Sequence, residues 1–156
     1  MIWCLRSGES VRDRDDSHLH GDVVRYLPEV LAATNSRGQA SIVREHRFPR
    51  VVGVKNVVQT NQSDSILFAQ RPGRAGLSRF VLNRRPEPTN WVTVILRQQP
   101  TGEYMIVSAW CGPATTHEPW DKYATLSVSR RFWSTHAIVW GTEPADEETI
   151  TTTCPW

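Results

Sequence analysis

The side chains able to exchange protons near neutral pH are five histidines, His18, His20, His46, His117 and His136. Imidazole suits acid–base work because its unperturbed pKa lies close to neutrality. Beside them stand 18 basic residues, of which only Lys55 and Lys122 are lysines, leaving 16 arginines. A guanidinium is a planar fork of donors that fits phosphate oxygens better than an ammonium does. Six arginines (Arg71, Arg74, Arg79, Arg84, Arg85 and Arg97) face Glu87 alone between residues 71 and 97, a local excess of five charges in a chain whose net charge is +2. The acids collect elsewhere, at Asp13, Asp15 and Asp16 and again at Glu143, Asp146, Glu147 and Glu148. Such a basic band points to a phosphate-bearing partner. A GC-rich genome also favours Arg over Lys without functional meaning, and both readings stand.

Their places in the chain sort these residues. His20 lies just ahead of an expected helix, with His18 two residues earlier, and His136 opens the last expected strand beside a turn. His46, within Arg44-Glu45-His46-Arg47, reads as solvated strand surface, and His117 as a loop residue. Arg71 and Arg74 flank Pro72-Gly73, so one turn is expected to offer both guanidiniums to one phosphate; Arg79 opens the next strand. Ser108 is either a hydroxyl that orients a phosphate oxygen or a small residue that lets strands pack closely. Trp91, Trp110 and Trp120 offer faces for base stacking or anchors for a core. His18-x-His20 with Asp16 or Asp22 could begin a zinc or manganese site, but no second cluster at ligand spacing follows. Neither metal nor cofactor is therefore expected. The absence of a P-loop, a dinucleotide-binding glycine pattern, G-x-S-x-G and kinase signatures disfavours Rossmann-type and hydrolase-type enzymes.

The elements that must position these side chains follow from periodicity. A chain of 156 residues fits one domain. The expected divisions are a loose arm over 1–17, a single α+β domain over 18–141, and an acidic, Thr-rich tail over 142–156. Within 22–34 a helix is expected with Pro28 in its first turn, stopped by Asn35-Ser36-Arg37-Gly38. Residues 40–48 and 51–59 are β-branched and read as extended. Four short runs, 65–70, 78–83, 91–98 and 103–111, are separated by Pro- and Gly-bearing turns and are expected to pair as an antiparallel meander. Val92, Val94 and Leu96, with Met105, Val107 and Ala109, are expected to face the core. Trp91, Thr93, Ile95 and Arg97, with Tyr104, Ile106, Ser108 and Trp110, are expected on a working face. A short helix over 127–135 and a strand over 136–140 complete the fold. No apolar run reaches membrane-spanning length, and MIWCLRSGES lacks the features of a secretory signal. Cys4, Cys111 and Cys154 are odd in number and widely spaced, which fits a reducing cytoplasm better than a disulfide framework.

The run from Asp64 to Trp140 resembles the BECR superfamily of small nucleases (barnase, EndoU, colicin and RelE-like), in its phage- and toxin-associated branch. The resemblance is carried by Asp64-Ser65-Ile66-Leu67-Phe68-Ala69-Gln70-Arg71, Arg79-Phe80-Val81 and Trp91-Val92-Thr93-Val94-Ile95-Leu96. It continues through Tyr104-Met105-Ile106-Val107-Ser108-Ala109, Glu118-Pro119-Trp120-Asp121 and Phe132-Trp133-Ser134-Thr135-His136-Ala137. Its most specific element is the strand ending Val-Ser-Ala, similar to the Val-Thr-Ala strand end of those nucleases. The resemblance implies an N-terminal helix packed on a four- to five-stranded antiparallel sheet, and a metal-independent endoribonuclease acting as a toxin module. On that expectation His18, His20 and His136 carry protons while Arg79 and Ser108 hold the scissile phosphate. Arg71, Arg74, Arg97 and Trp120 bind the RNA, be it tRNA or another. An acidic immunity or antitoxin protein and a cytoplasmic site of action, in the producing or a target cell, are also implied. A non-catalytic nucleic-acid-binding module and a phage-derived interaction domain are the competing expectations.

Overall fold

The computed structural model describes residues 2–13 and 18–156, His18 by its backbone alone. The chain is mixed α+β, mostly strands, with two α-helices and several sheets among the described residues. It forms two compact units: Met1–Lys55 with Pro88–Ala114, and Asn56–Glu87 with Thr115–Trp156.

The first unit holds β1 (Ile2–Cys4), β2 (Ser10–Arg12), β3 (His18–Leu19), a 3-10 turn over Gly21–Tyr26, α1 (Leu27–Ala32), β4 (Ser41–Arg47) and β5 (Gly53–Lys55). Pro28 sits in the first turn of α1, where its missing N–H costs no helical hydrogen bond. Later strands are numbered in chain order, so the long pair of this unit is β10 (Trp91–Gln98) and β11 (Tyr104–Cys111). Gly102, at φ +88°, closes the turn between them, its N–H donating to Gln99 O at 2.9 Å. The sheet runs β1-β2-β11-β10-β4, and β3 also pairs with β11; β2 and β3 lie parallel to β11, the other pairs antiparallel. The sheet is thus mixed, because its edge on one side is filled by the N-terminal segment. Residues 2–4 and 10–12, expected as a loose arm, are strands with Trp3 and Val11 buried. Val23, Leu27, Val30 and Leu31 from the helical segment share one core with Val92, Val94, Leu96, Tyr104, Ile106 and Ala109.

The face of β11 departs from strict alternation. Leu96 pairs with Ile106 and Ile95 with Ser108, leaving Val107 as a bulge. A bulge shifts the inward and outward sets by one residue. Tyr104 and Ile106 therefore face the core, against expectation, while Ser108 and Trp110 stay with Ile95 and Thr93 on the opposite face. Met105 and Val107, expected inside, are only half-buried.

The second unit holds β6 (Val57–Gln59), β7 (Ile66–Gln70), β8 (Leu77–Val81), α2 (Leu126–Trp133), β12 (His136–Val139) and β13 (Asp146–Thr151), in the sheet order β13-β7-β8-β12-β6. A short strand, β9 (Glu87–Thr89), precedes β10. The four runs expected as one meander are all strands, but β7 and β8 pair with each other in this sheet and β10 and β11 in the other. Part of the expected C-terminal tail is β13, which pairs antiparallel with β7 and whose Thr149 hydroxyl accepts the Gln70 N–H at 2.8 Å. Leu67, Ala69, Phe80, Ile138 and Trp133 of α2 form one core of this unit, and Val58, Val81, Ala137 and Val139 a second.

No helix among the described residues is long and apolar enough to cross a membrane. Cys4, Cys111 and Cys154 form no disulfide.

Two tests follow from this packing. Leu96 is fully buried between strands that it joins, so Leu96→Ala should cost about 2–5 kcal/mol in denaturant unfolding, whereas Val43→Ala, 58% exposed, should stay within about 0.5 kcal/mol. Asp64 ties the β6–β7 turn: Oδ2 accepts the Asn61 N–H at 2.8 Å and Oδ1 accepts Arg84 Nε at 3.0 Å. The Asn61 amide first, and Arg84 after it, hold the Asp64 carboxyl below its ordinary range. The stability this contributes is present above the ordinary carboxylate pKa and is lost as pH falls through the depressed one. Melting curves from pH 7 to 3 should show the wild type losing more than Asp64→Asn, the two converging in acid; parallel curves would refute the linkage.

Candidate functional site

In the first unit the segment ahead of the helix runs alongside the strand that carries Ser108. β3 pairs in parallel with β11, His18 opposite Ser108 and Leu19 opposite Ala109, and the His20 N–H donates to Ala109 O at 3.0 Å. Leu19 packs on the core, which fixes this register: slipping it by one would drive Leu19 out. His20 stands at the N-cap of the 3-10 turn, exposed, and its side chain makes no capping bond. On the face that carries Ser108, Arg97 is exposed and pairs with Met105 and Ser41, two residues along from Ile95. Thr93 is buried there and donates to Gly112 O at 2.7 Å, while Trp110 Nε1 donates to Pro113 O at 3.1 Å and the Arg47 guanidinium lies 6.0 Å from the Trp91 ring. The side chain of His18, and Asp15 and Asp16, fall outside the described residues. No group of three or more metal-binding side chains occurs among those described.

In the second unit Arg79 and His136 meet through the backbone. Arg79 Nη1 donates to Thr60 Oγ1 at 2.8 Å and to His136 O at 3.0 Å. Burial draws the Arg79 pKa below its ordinary value, which Cys154 and Asp64 partly offset. The His136 ring stacks on Phe132 with centroids 4.0 Å apart, and Nδ1 lies 3.0 Å from Phe132 O. Nδ1 also lies 3.0 Å from Thr135 Oγ1.

Arg71 and Arg74 sit in different surroundings despite sharing one turn. Arg71, 14% exposed, donates from Nε to Ser78 Oγ at 3.0 Å, is bonded to Glu118 Oε2 through Nη2, and lies 3.7 Å from Glu143 Oε2. Asn56 Nδ2 adds a bond to Glu143 Oε1 at 3.2 Å. Arg74 is exposed, its N–H closing the turn on Arg71 O at 3.1 Å. The turn therefore does not offer both guanidiniums to one phosphate. Arg84 is likewise engaged, by Asp64 and by Gln59 O at 2.9 Å. Trp120 packs on Gly76 so closely that a Cβ added there would lie 2.3 Å from Trp120 Cβ. Trp120 Nε1, Glu118 Oε1 and Thr116 Oγ1 are buried without a hydrogen-bond partner in the structure.

The residues singled out by sequence thus divide. His18, His20, Arg97 and Ser108 belong to the first unit, Arg71, Arg74, Arg79, Trp120 and His136 to the second. Spacing had not marked Glu118, Glu143 or Tyr123, since each lies in a loop or tail without periodicity. Charge sign was a signal available for both glutamates: a buried arginine requires a nearby acid.

Truncating Arg71 tests whether the buried pair is structural. Arg71→Ala leaves Glu118 buried without a counter-charge and should cost about 3–5 kcal/mol in urea unfolding, most of it recovered by adding Glu118→Leu. A single variant as stable as the wild type would count against this network.

Scans against protein-family models, curated proteins and solved structures found no match for this chain.

Proposed function

We propose that the chain is a metal-independent endoribonuclease, a bacterial or phage toxin module that cuts RNA by transphosphorylation. In that reaction a base removes the proton from a ribose 2′-OH, the 2′-oxygen attacks the adjacent phosphorus, and the 5′-oxygen leaves with a proton from an acid. A cation and a hydroxyl meet the charge that builds on the non-bridging oxygens. What supports the reading is the bulge at Val107 together with the His18–Ser108 register. The bulge carries Ser108 to the face opposite the core, and bulges recur beside active sites as devices that re-aim a side chain. In this reading His18 and His20 supply acid–base capacity, Ser108 orients a phosphate oxygen and Arg97 binds RNA. In the second unit His136 and Arg79 offer a proton carrier and a cation, and the exposed Arg74 offers an RNA contact. Neither metal nor cofactor takes part. The implied partners are tRNA or another RNA and an acidic immunity protein, and the site of action is a cytoplasm.

One observation favours a second reading, a non-catalytic nucleic-acid-binding or phage-derived interaction module. Arg71, Arg79 and Arg84 of the basic band are engaged within the protein, which lowers the charge left for a transition state.

Incubation of the full chain with total RNA in EDTA distinguishes the two. Cleavage should fall by about 10²–10⁴-fold in His20→Ala and about 10²-fold in Ser108→Ala, and His136→Ala reports separately on the second unit. An inert wild type that binds RNA with salt sensitivity would replace the nuclease reading with the second one.

A further inference from the structure

We propose that Tyr123 is a nucleobase-stacking platform for single-stranded RNA, with Lys122 as its phosphate-side cation; the proposal rests on the RNA-handling reading above. Tyr123 is 71% exposed, more than any other large hydrophobic side chain among those described. Leaving a tyrosine ring in water forgoes the burial free energy that usually places such a ring against a core. The backbone beneath the ring is nevertheless held in place. Asp121 Oδ1 accepts the Tyr123 N–H at 2.8 Å, Asp121 O accepts the Ala124 N–H at 2.9 Å, and the Asp121 N–H donates to Glu118 O at 2.9 Å. Asp121 Oδ2 also holds His117 Nδ1 at 3.2 Å, setting the imidazole 6.3 Å from the Tyr123 ring. Glu118 is in turn clamped by Arg71, and Trp120 by its seat on Gly76. One carboxylate on an anchored loop thus fixes the backbone that carries the exposed phenol ring, which removes part of the entropic cost of binding.

Lys122 completes the chemistry. Its Nζ lies 5.0 Å from the Tyr123 centroid, where an ammonium is attracted by the ring and can also neutralise the phosphate of a stacked nucleotide. An aromatic face beside a cation is the recurring unit of single-strand binding, and it tolerates any base because every base has a π-face. Trp120, the stacking candidate suggested by sequence, has its ring seated on Gly76, and its neighbour Tyr123 takes the exposed position.

The experiment is fluorescence anisotropy of the full chain with a short, fluorescein-labelled 2′-O-methyl oligonucleotide, which lacks the 2′-OH nucleophile and so reports binding without cleavage. Tyr123→Ala should weaken binding about tenfold, Tyr123→Trp should bind at least as tightly as wild type, and Lys122→Ala should reduce the salt slope by about one. Unchanged binding by Tyr123→Ala, or loss of binding in both Tyr123 variants, overturns the proposal. A wild type that cleaves total RNA but binds no oligonucleotide overturns it while sparing the nuclease reading. Tyr123-dependent binding without cleavage sustains the stacking site and removes the nuclease.

Discussion

A single unpaired residue, Val107, governs what the first unit can present. β10 and β11 pair along almost their whole length, and Leu96 and Val94 commit β10 to the core. With strict alternation, the strand that buries Tyr104 and Ile106 would also bury position 108. The inserted residue reverses that phase midway, so one strand contributes Tyr104 and Ile106 to the core at one end and Ala109 at the other while Ser108 faces the opposite side. The N-terminal strand β3 then follows the shifted phase, Leu19 beside Ala109 and His18 beside Ser108. The candidate chemistry of this unit therefore depends on a backbone irregularity more than on any one hydrogen bond.

Charge in the second unit is organised inward. A guanidinium removed from water is tolerable only with partners that match its donors, and Arg71 meets Glu118, Glu143 and Ser78 in that way. The same logic holds for Arg84 with Asp64, and for Arg79 with two neutral oxygens. A band of arginines that reads from sequence as an outward-facing patch is thus in good part a set of internal ties, and the exposed cations of this unit include Arg74, Arg85 and Lys122.

The strands and helices were legible because local rules decide them: Pro28 at a helix start, β-branched runs, and Pro- and Gly-bearing separators. Pairing was less so. Runs 65–70, 78–83, 91–98 and 103–111 look alike in composition, and nothing local shows that β8 prefers β12 as its second neighbour while β10 takes β4. The N-terminal arm and the acidic tail contain strands for a related reason. Three-residue strands such as Ile2–Cys4, and an Asp-Glu-Glu run such as that of β13, are extended only because a neighbouring strand supplies their hydrogen bonds. Of the candidate site, the backbone of His18 lies opposite Ser108 through the parallel β3–β11 pairing, a partnership that no local pattern announces. The burial of Arg71 was invisible because its partner Glu118 lies 47 positions away.

Each unit is assembled from two separated stretches of polypeptide, and the chain passes from one to the other at residues 55–56, 87–88 and 114–115. A ribosome must therefore release the first unit's central hairpin before β2 and β3 can join β11, and the second cannot close until β13 has emerged. Synthesis leaves unpaired strand edges waiting in the interval, a state prone to self-association and slow to resolve because its decisive contacts are distant in sequence. Neither unit can be cut out as one contiguous fragment, so each is inherited, expressed and lost together with the other.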